Sequence, residues 1–239
     1  MSATGYPSNP CNYGSDGVNQ IWFNPRQVIW LTDDFNAGNE IGGIGWNVQT
    51  ATVFQYSDGS STNPGVVQNQ VGSSFNQGNH SLNNQNYVGG GQIIQEWIVG
   101  VNALSSITNR YLLNIGFISA TGNSAPGTNA ICFSYTDNVN SGNWICQTIA
   151  GGTPTSTTTS TAPLTSGFQR LQININPTAS SVTFFINGNL VATNTTNIPA
   201  SSAALFISCN VQNTGTFSLG NSGYNLDQFN HYQLLTTSR

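Results

Sequence analysis

The sequence predicts an all-β fold built as a two-sheet sandwich. Three observations carry this. First, only 5% of the 239 residues are charged; lysine is absent and Glu occurs twice, so the charged residues that favour exposed helices are scarce. Second, about a dozen short runs of apolar and β-branched residues are separated by turn residues, among them 26 glycines. Third, several runs alternate with period two: Leu171, Ile173 and Ile175 point one way, and Arg170, Gln172 and Asn174 the other, giving one buried and one wet face.

Taken in order, residues 1–30 read as an extended arm. Pro7, Pro10, Gly14, Gly17 and Pro25 break any regular pattern. Ile21-Trp22-Phe23 and Val28-Ile29-Trp30-Leu31 are apolar islands within it. Trp22, Phe23 and Trp30 are its candidate docking residues, against the protein's own body or a partner. Residues 31–239 form one sandwich domain, long enough for a full core. Strands are expected at 44–48, 51–56, 65–71, 92–101, 111–119, 130–135, 143–149, 168–176, 182–187, 190–195, 204–211 and 226–235. Segments 121–128 and 151–167 read as loops, the Thr-rich run 155–161 forming a long hairpin tip. Asn187-Gly188 supplies the positive φ angles of a tight hairpin turn.

The composition excludes several functions. Four arginines cannot build the basic stripe of a nucleic-acid binder or a polybasic membrane patch. No run approaches 18 apolar residues, so no membrane-spanning helix is expected. Residues 1–7 lack the basic and apolar regions of a secretory leader. Solubility rests on Asn, Ser, Thr, Gln and Gly in place of Lys and Glu.

The four cysteines, at 11, 132, 146 and 209, fit no zinc spacing. Cys132 and Cys146 flank an expected hairpin. A turn centred on Val139 would set them opposite each other, where a disulfide could add about 3 kcal/mol. Two buried thiols are the alternative.

Resemblance narrows the fold. Phe168 to Ile175, followed by Ser181 to Val191 with its Asn-Gly turn, resembles the late strands of concanavalin-A-like jelly rolls. Asp33-Asp34-Phe35 and Gly42-Gly43-Ile44-Gly45-Trp46 resemble the opening of such domains in structural proteins of tailed bacteriophages. The central Gln95 to Val101 run and the closing Leu226-Asp227-Gln228-Phe229 follow in the same order. The resemblance spans about residues 32–236. It implies a concanavalin-A-like jelly-roll sandwich in a virion structural protein.

No catalytic centre is expected. Glycosidases of this fold set two or three carboxylates along one strand, and a retaining pair stands about 5–5.5 Å apart. Glu40 and Glu96 have no acidic neighbour two residues away, and Glu96 reads as a solvent-facing strand residue. His80 reads as solvated in an Asn-rich loop, and His231 as a hydrogen-bonded strand residue. Nucleophile elbows and phosphate loops are missing. Asp33-Asp34 and Asp58-Gly59 read as turn or strand residues, so no metal or cofactor is expected.

Two functions remain. The first is a non-enzymatic capsid decoration protein on the surface of a tailed phage, assembled in the host cytoplasm. Its partners would be the major capsid protein or tail proteins, and it would form a homo-oligomer such as a trimer. The second is a glycan-binding adhesin or tail-fibre module. Tyr56, Tyr87, Trp144 and Tyr224 lie near Asn-rich loops and are its candidate sugar platforms.

Overall fold

The computed structural model describes residues 27–35, 44–49, 53–57, 65–71, 77–120, 125–217 and 222–237. Among the described residues, fifteen strands make two antiparallel sheets. The eight-stranded sheet contains β13 (Asn189–Asn194), β12 (Val182–Ile186), β11 (Gln169–Ile175), β6 (Gly91–Val101), β15 (Ser222–Leu235), β4 (Val66–Val71) and β3 (Val53–Ser57), in that spatial order. β1 (Val28–Asp33) also pairs with β15. The seven-stranded sheet runs β10 (Thr153–Thr158), β9 (Ile145–Ala150), β8 (Ala130–Tyr135), β7 (Asn109–Ile118), β14 (Leu205–Phe217), β5 (Gln77–Asn86) and β2 (Trp46–Gln49). The two sheets pack face to face as a jelly-roll sandwich.

The alternation of β11 appears as expected: Leu171, Ile173 and Ile175 are wholly buried, and Arg170 is exposed. Asn187 (φ 51°) and Gly188 (φ 81°) form the two-residue turn between β12 and β13. The Asn187 Oδ1 also accepts the Arg170 backbone N–H at 2.9 Å, fixing the turn to β11.

Three segments depart from expectation. β1 begins at Val28, so Trp30 belongs to the sheet and not to an arm; Trp22 and Phe23 lie outside the described residues. β5 is a strand of mostly polar residues that alternation of large apolar side chains does not reveal. The Thr-rich run is edge strand β10, where the hydroxyls of Thr155 and Thr157 bind Thr196 Oγ1 and Asn194 Oδ1, each at 2.7 Å. These bonds tie one margin of the seven-stranded sheet to the β13 margin of the other.

The core is aromatic. Trp97 packs on Phe229 (4.6 Å between centroids) and Trp46 (5.7 Å), and Phe133 meets Phe184 edge-on at 5.3 Å. Asp33 anchors the opening of the chain to this core. Its Oδ1 accepts the Phe35 backbone N–H and its Oδ2 the Trp46 indole N–H, both at 2.9 Å. Hydrogen bonds to a charged group contribute about 1.5–3 kcal/mol. Asp33→Ala is therefore expected to lower unfolding free energy by about 2–3 kcal/mol in urea titrations, and Asp33→Asn by less.

Candidate functional site

The cysteines are set by strand register. In the β8–β9 hairpin Cys132 faces Gln147, and Phe133 faces Cys146. The turn holds a single 3₁₀ turn, Asn140–Gly142, with positive φ at all three residues. The pairing is thus one residue off the symmetric expectation, and one residue of slip reverses the face of a side chain. Cys146 points into the main core, whereas Cys132 joins Ile118, Ala130 and Ile149 on the opposite side of the sheet. Of the two alternatives, Cys132 and Cys146 are buried free thiols and not a disulfide, and Cys209 is a buried free thiol as well. Burial pushes the Cys132 thiol up to about 12 and raises the other two as well. All three should resist a thiol reagent at pH 8 until denaturant is added. A melting temperature changed by reductant through Cys132 or Cys146 would contradict this.

Carboxylates are placed for structure. The seven strands of the seven-stranded sheet contain no Asp or Glu. Their outer side instead carries a buried row of neutral groups. Asn114 stands across from Asn210 and Ser134, and Asn210 from Asn79. The Asn114 and Asn210 amides and the nearby Ser208 hydroxyl have no hydrogen-bond partner among the described residues. Glu96 faces outward on β6, as expected, and pairs with Arg170 at 3.5 Å. Asp137 takes a two-pronged contact from Arg110 (both 3.0 Å) and the Ser105 hydroxyl at 2.6 Å. The Arg110 guanidinium holds its carboxyl below the usual range. Glu40 and Asp58 lie outside the described residues. Among the described residues no three His, Cys, Asp or Glu side chains gather as a metal site.

Both histidines are buried, which for His80 overturns the expected solvated position. His80 sits on β5 within an aromatic box of Phe35, Trp46 and Tyr224. The Tyr224 hydroxyl donates to the Cys209 carbonyl at 2.9 Å, so His80 Nδ1, 2.8 Å away, is the donor to that oxygen. His231 packs edge-on to Phe117, and neither ring nitrogen has a polar partner among the described residues.

The aromatic candidates separate. Trp144 is 1% exposed, in the core, its indole N–H donating to Gln169 Oε1 at 3.1 Å. Tyr224 is fully buried against His80. Neither can serve as a sugar platform: each fills the space between the sheets, and proximity to an Asn-rich loop in sequence did not reveal that. Tyr56 is in β3, and its side chain lies outside the described residues. Tyr87 is different. It is 46% exposed and its hydroxyl donates to Gln85 Oε1 at 2.7 Å.

Tyr87 borders a cleft of about 520 Å³ at one end of the sandwich. The cleft lies where the β5–β6 connection, β1, the end of β15 and Ser201 meet. Ile29, Val88 and Leu235 form its apolar lining, and Gln85, Asn86 and Gln233 bring amides. Gly89-Gly90-Gly91 shapes it. The Gly90 carbonyl accepts the Thr236 N–H at 3.0 Å, and the Leu235 N–H donates to the Gln27 carbonyl at 2.7 Å. Gln233 was missed by sequence reading. It is 7% exposed, and its side-chain amide has no hydrogen-bond partner among the described residues. The available signal was a polar residue on the inward phase of β15, in step with Phe229 and His231.

A family model, SO2946-like, C-terminal domain, matches residues 62–221. The chain belongs to this family. Its SO2946-like fold is that of the protein of unknown function SO2946 from Shewanella oneidensis MR-1, with 13% identity, 89% of each chain covered and a TM-score of 0.62. The Emp47p carbohydrate recognition domain is 11% identical, covers 89% of this chain and 100% of its own, and has a TM-score of 0.59. The carbohydrate esterase vb_24B_21 from the Shiga toxin-encoding bacteriophage phi24B is 12% identical, with 85% and 97% covered and a TM-score of 0.57. At such identities the likeness is one of fold: the SO2946-like chain is a concanavalin-A-like jelly roll. No curated protein matches it.

Proposed function

We propose that this chain is a carbohydrate-recognition domain without hydrolytic activity. The exposed ring of Tyr87 at the cleft rim is the observation that carries the reading. Sugar sites combine an aromatic face for pyranose C–H groups with a few amides for hydroxyls, and the cleft offers both. The carboxylate-free strands of the seven-stranded sheet support the non-catalytic part, because retaining hydrolysis needs two acids about 5–5.5 Å apart. A carbohydrate recognition domain of the same fold supports the ligand class.

The test is a glycan array followed by titration. Tyr87→Ala is expected to weaken binding about 10-fold or more, with an unchanged melting temperature. Polysaccharides incubated with the protein should release no reducing ends. Turnover abolished by Glu96→Gln or Glu40→Gln would overturn the non-catalytic reading.

A second reading keeps the domain non-enzymatic and sets it on the virion surface of a tailed phage, as a capsid decoration or tail protein. A phage protein with the same fold and an ion-poor composition support it. Labelled antibody on intact particles tests it: regular surface decoration supports the reading, and undecorated particles rule it out.

A further inference from the structure

We propose that the Tyr87 cleft takes an N-acetylated hexosamine, with the acetamido group seated beside Gln233. This rests on the carbohydrate reading and adds the ligand class and the residue that selects it.

Gln233 supplies the first argument. Gln233 lines the cleft and is more than nine-tenths buried as a residue, and its amide has no hydrogen-bond partner among the described residues. An amide that opens on the cleft without a protein partner has its hydrogen-bonding capacity left for a bound group. It presents one acceptor oxygen and two N–H donors. Another amide, with one N–H and one carbonyl, is its direct complement.

The lining supplies the second. Ile29, Val88 and Leu235 line the same cleft with aliphatic carbon. An acetyl methyl fills such a space, whereas the hydroxyl of a plain hexose at that place would lose its hydration. The Tyr87 ring remains at the rim for the pyranose face. The lining carries no charged side chain among the described residues, so a carboxylated sugar would be desolvated without a counter-ion.

Titration of the full chain with N-acetylglucosamine, N-acetylgalactosamine, their parent hexoses and N-acetylneuraminic acid tests the assignment. The N-acetylhexosamines are expected to bind about 10-fold more tightly than the other sugars, the equivalent of one good hydrogen bond. In saturation-transfer NMR on the unmodified protein, the acetyl methyl should receive the strongest signal. Gln233→Met should erase the preference, and Tyr87→Ala should weaken every saccharide. Equal binding of parent hexoses, or a preference that survives in folded Gln233→Met, overturns the proposal and leaves the carbohydrate reading standing. Absence of binding by any saccharide overturns both.

Discussion

Lowering the pH from 7 to 4 is expected to remove a large part of the folding free energy, beginning above the range in which carboxylates titrate. His80 and His231 carry the effect. Burial holds His80 down at about 3 and His231 at about 4, against an ordinary 6.5. With folded values below the unfolded one, the unfolded chain binds more protons at any pH beneath about 6.5. Stability is therefore fully present above that pH and falls as acid is added, until each folded ring titrates. At about 1.4 kcal/mol per pKa unit, and with at most the interval from 6.5 down to pH 4 available, the loss by pH 4 is on the order of 3 kcal/mol for each ring. Domain stabilities are about 5–15 kcal/mol, so the protein should be close to unfolding near pH 4. Urea titrations from pH 7.5 to 4 measure this. His231→Leu should flatten the profile; equal stability at pH 7 and 4 would show that the rings are not buried as neutral groups.

Gly91→Ala is expected to damage both the fold and the cleft. Gly91 has φ +152° and stands across from Leu235 at the end of β15. A Cβ there would collide with the Leu234 carbonyl and lie 2.8 Å from the Leu235 Cα. Backbone cannot swing aside as a side chain can, so β15 must move away. Overpacking of this kind costs about 1–3 kcal/mol, and the positive φ adds to it. A loss of about 3 kcal/mol is expected, together with loss of sugar binding, because Gln233 and Leu235 belong to the displaced segment. Gly90→Ala is the control: nothing lies within 4 Å of its Cβ position, and its stability should change by less than about 0.5 kcal/mol. Equal effects at the two glycines would contradict the close approach of β6 and β15.

The sandwich was legible where side chains of contrasting size, polarity or burial alternate. β8, β11 and β12 each show this, and Asn187-Gly188 announces its own turn. β5 was hidden because hydrogen bonds from neighbouring strands hold it, while His80 and Leu82 are its large inward side chains. β10 was hidden because its threonines are fixed by contacts with Asn194 and Thr196, far away in sequence. The site was less legible. Trp144, Tyr224 and Tyr87 look alike beside Asn-rich loops, and only packing decides which ring reaches the surface. Gln233 was readable in principle as a polar residue in a buried phase, though its lack of a partner emerges only when β1, the glycine turn and β15 come together.

Amide-resolved NMR during titration with neutral N-acetylated saccharides tests the central claim most directly. The account predicts shifts confined to Ile29, Ser201 and residues 85–91 and 233–236, with the saccharide recovered intact. Shifts centred on the outer side of the seven-stranded sheet, or cleavage of the sugar, would contradict it.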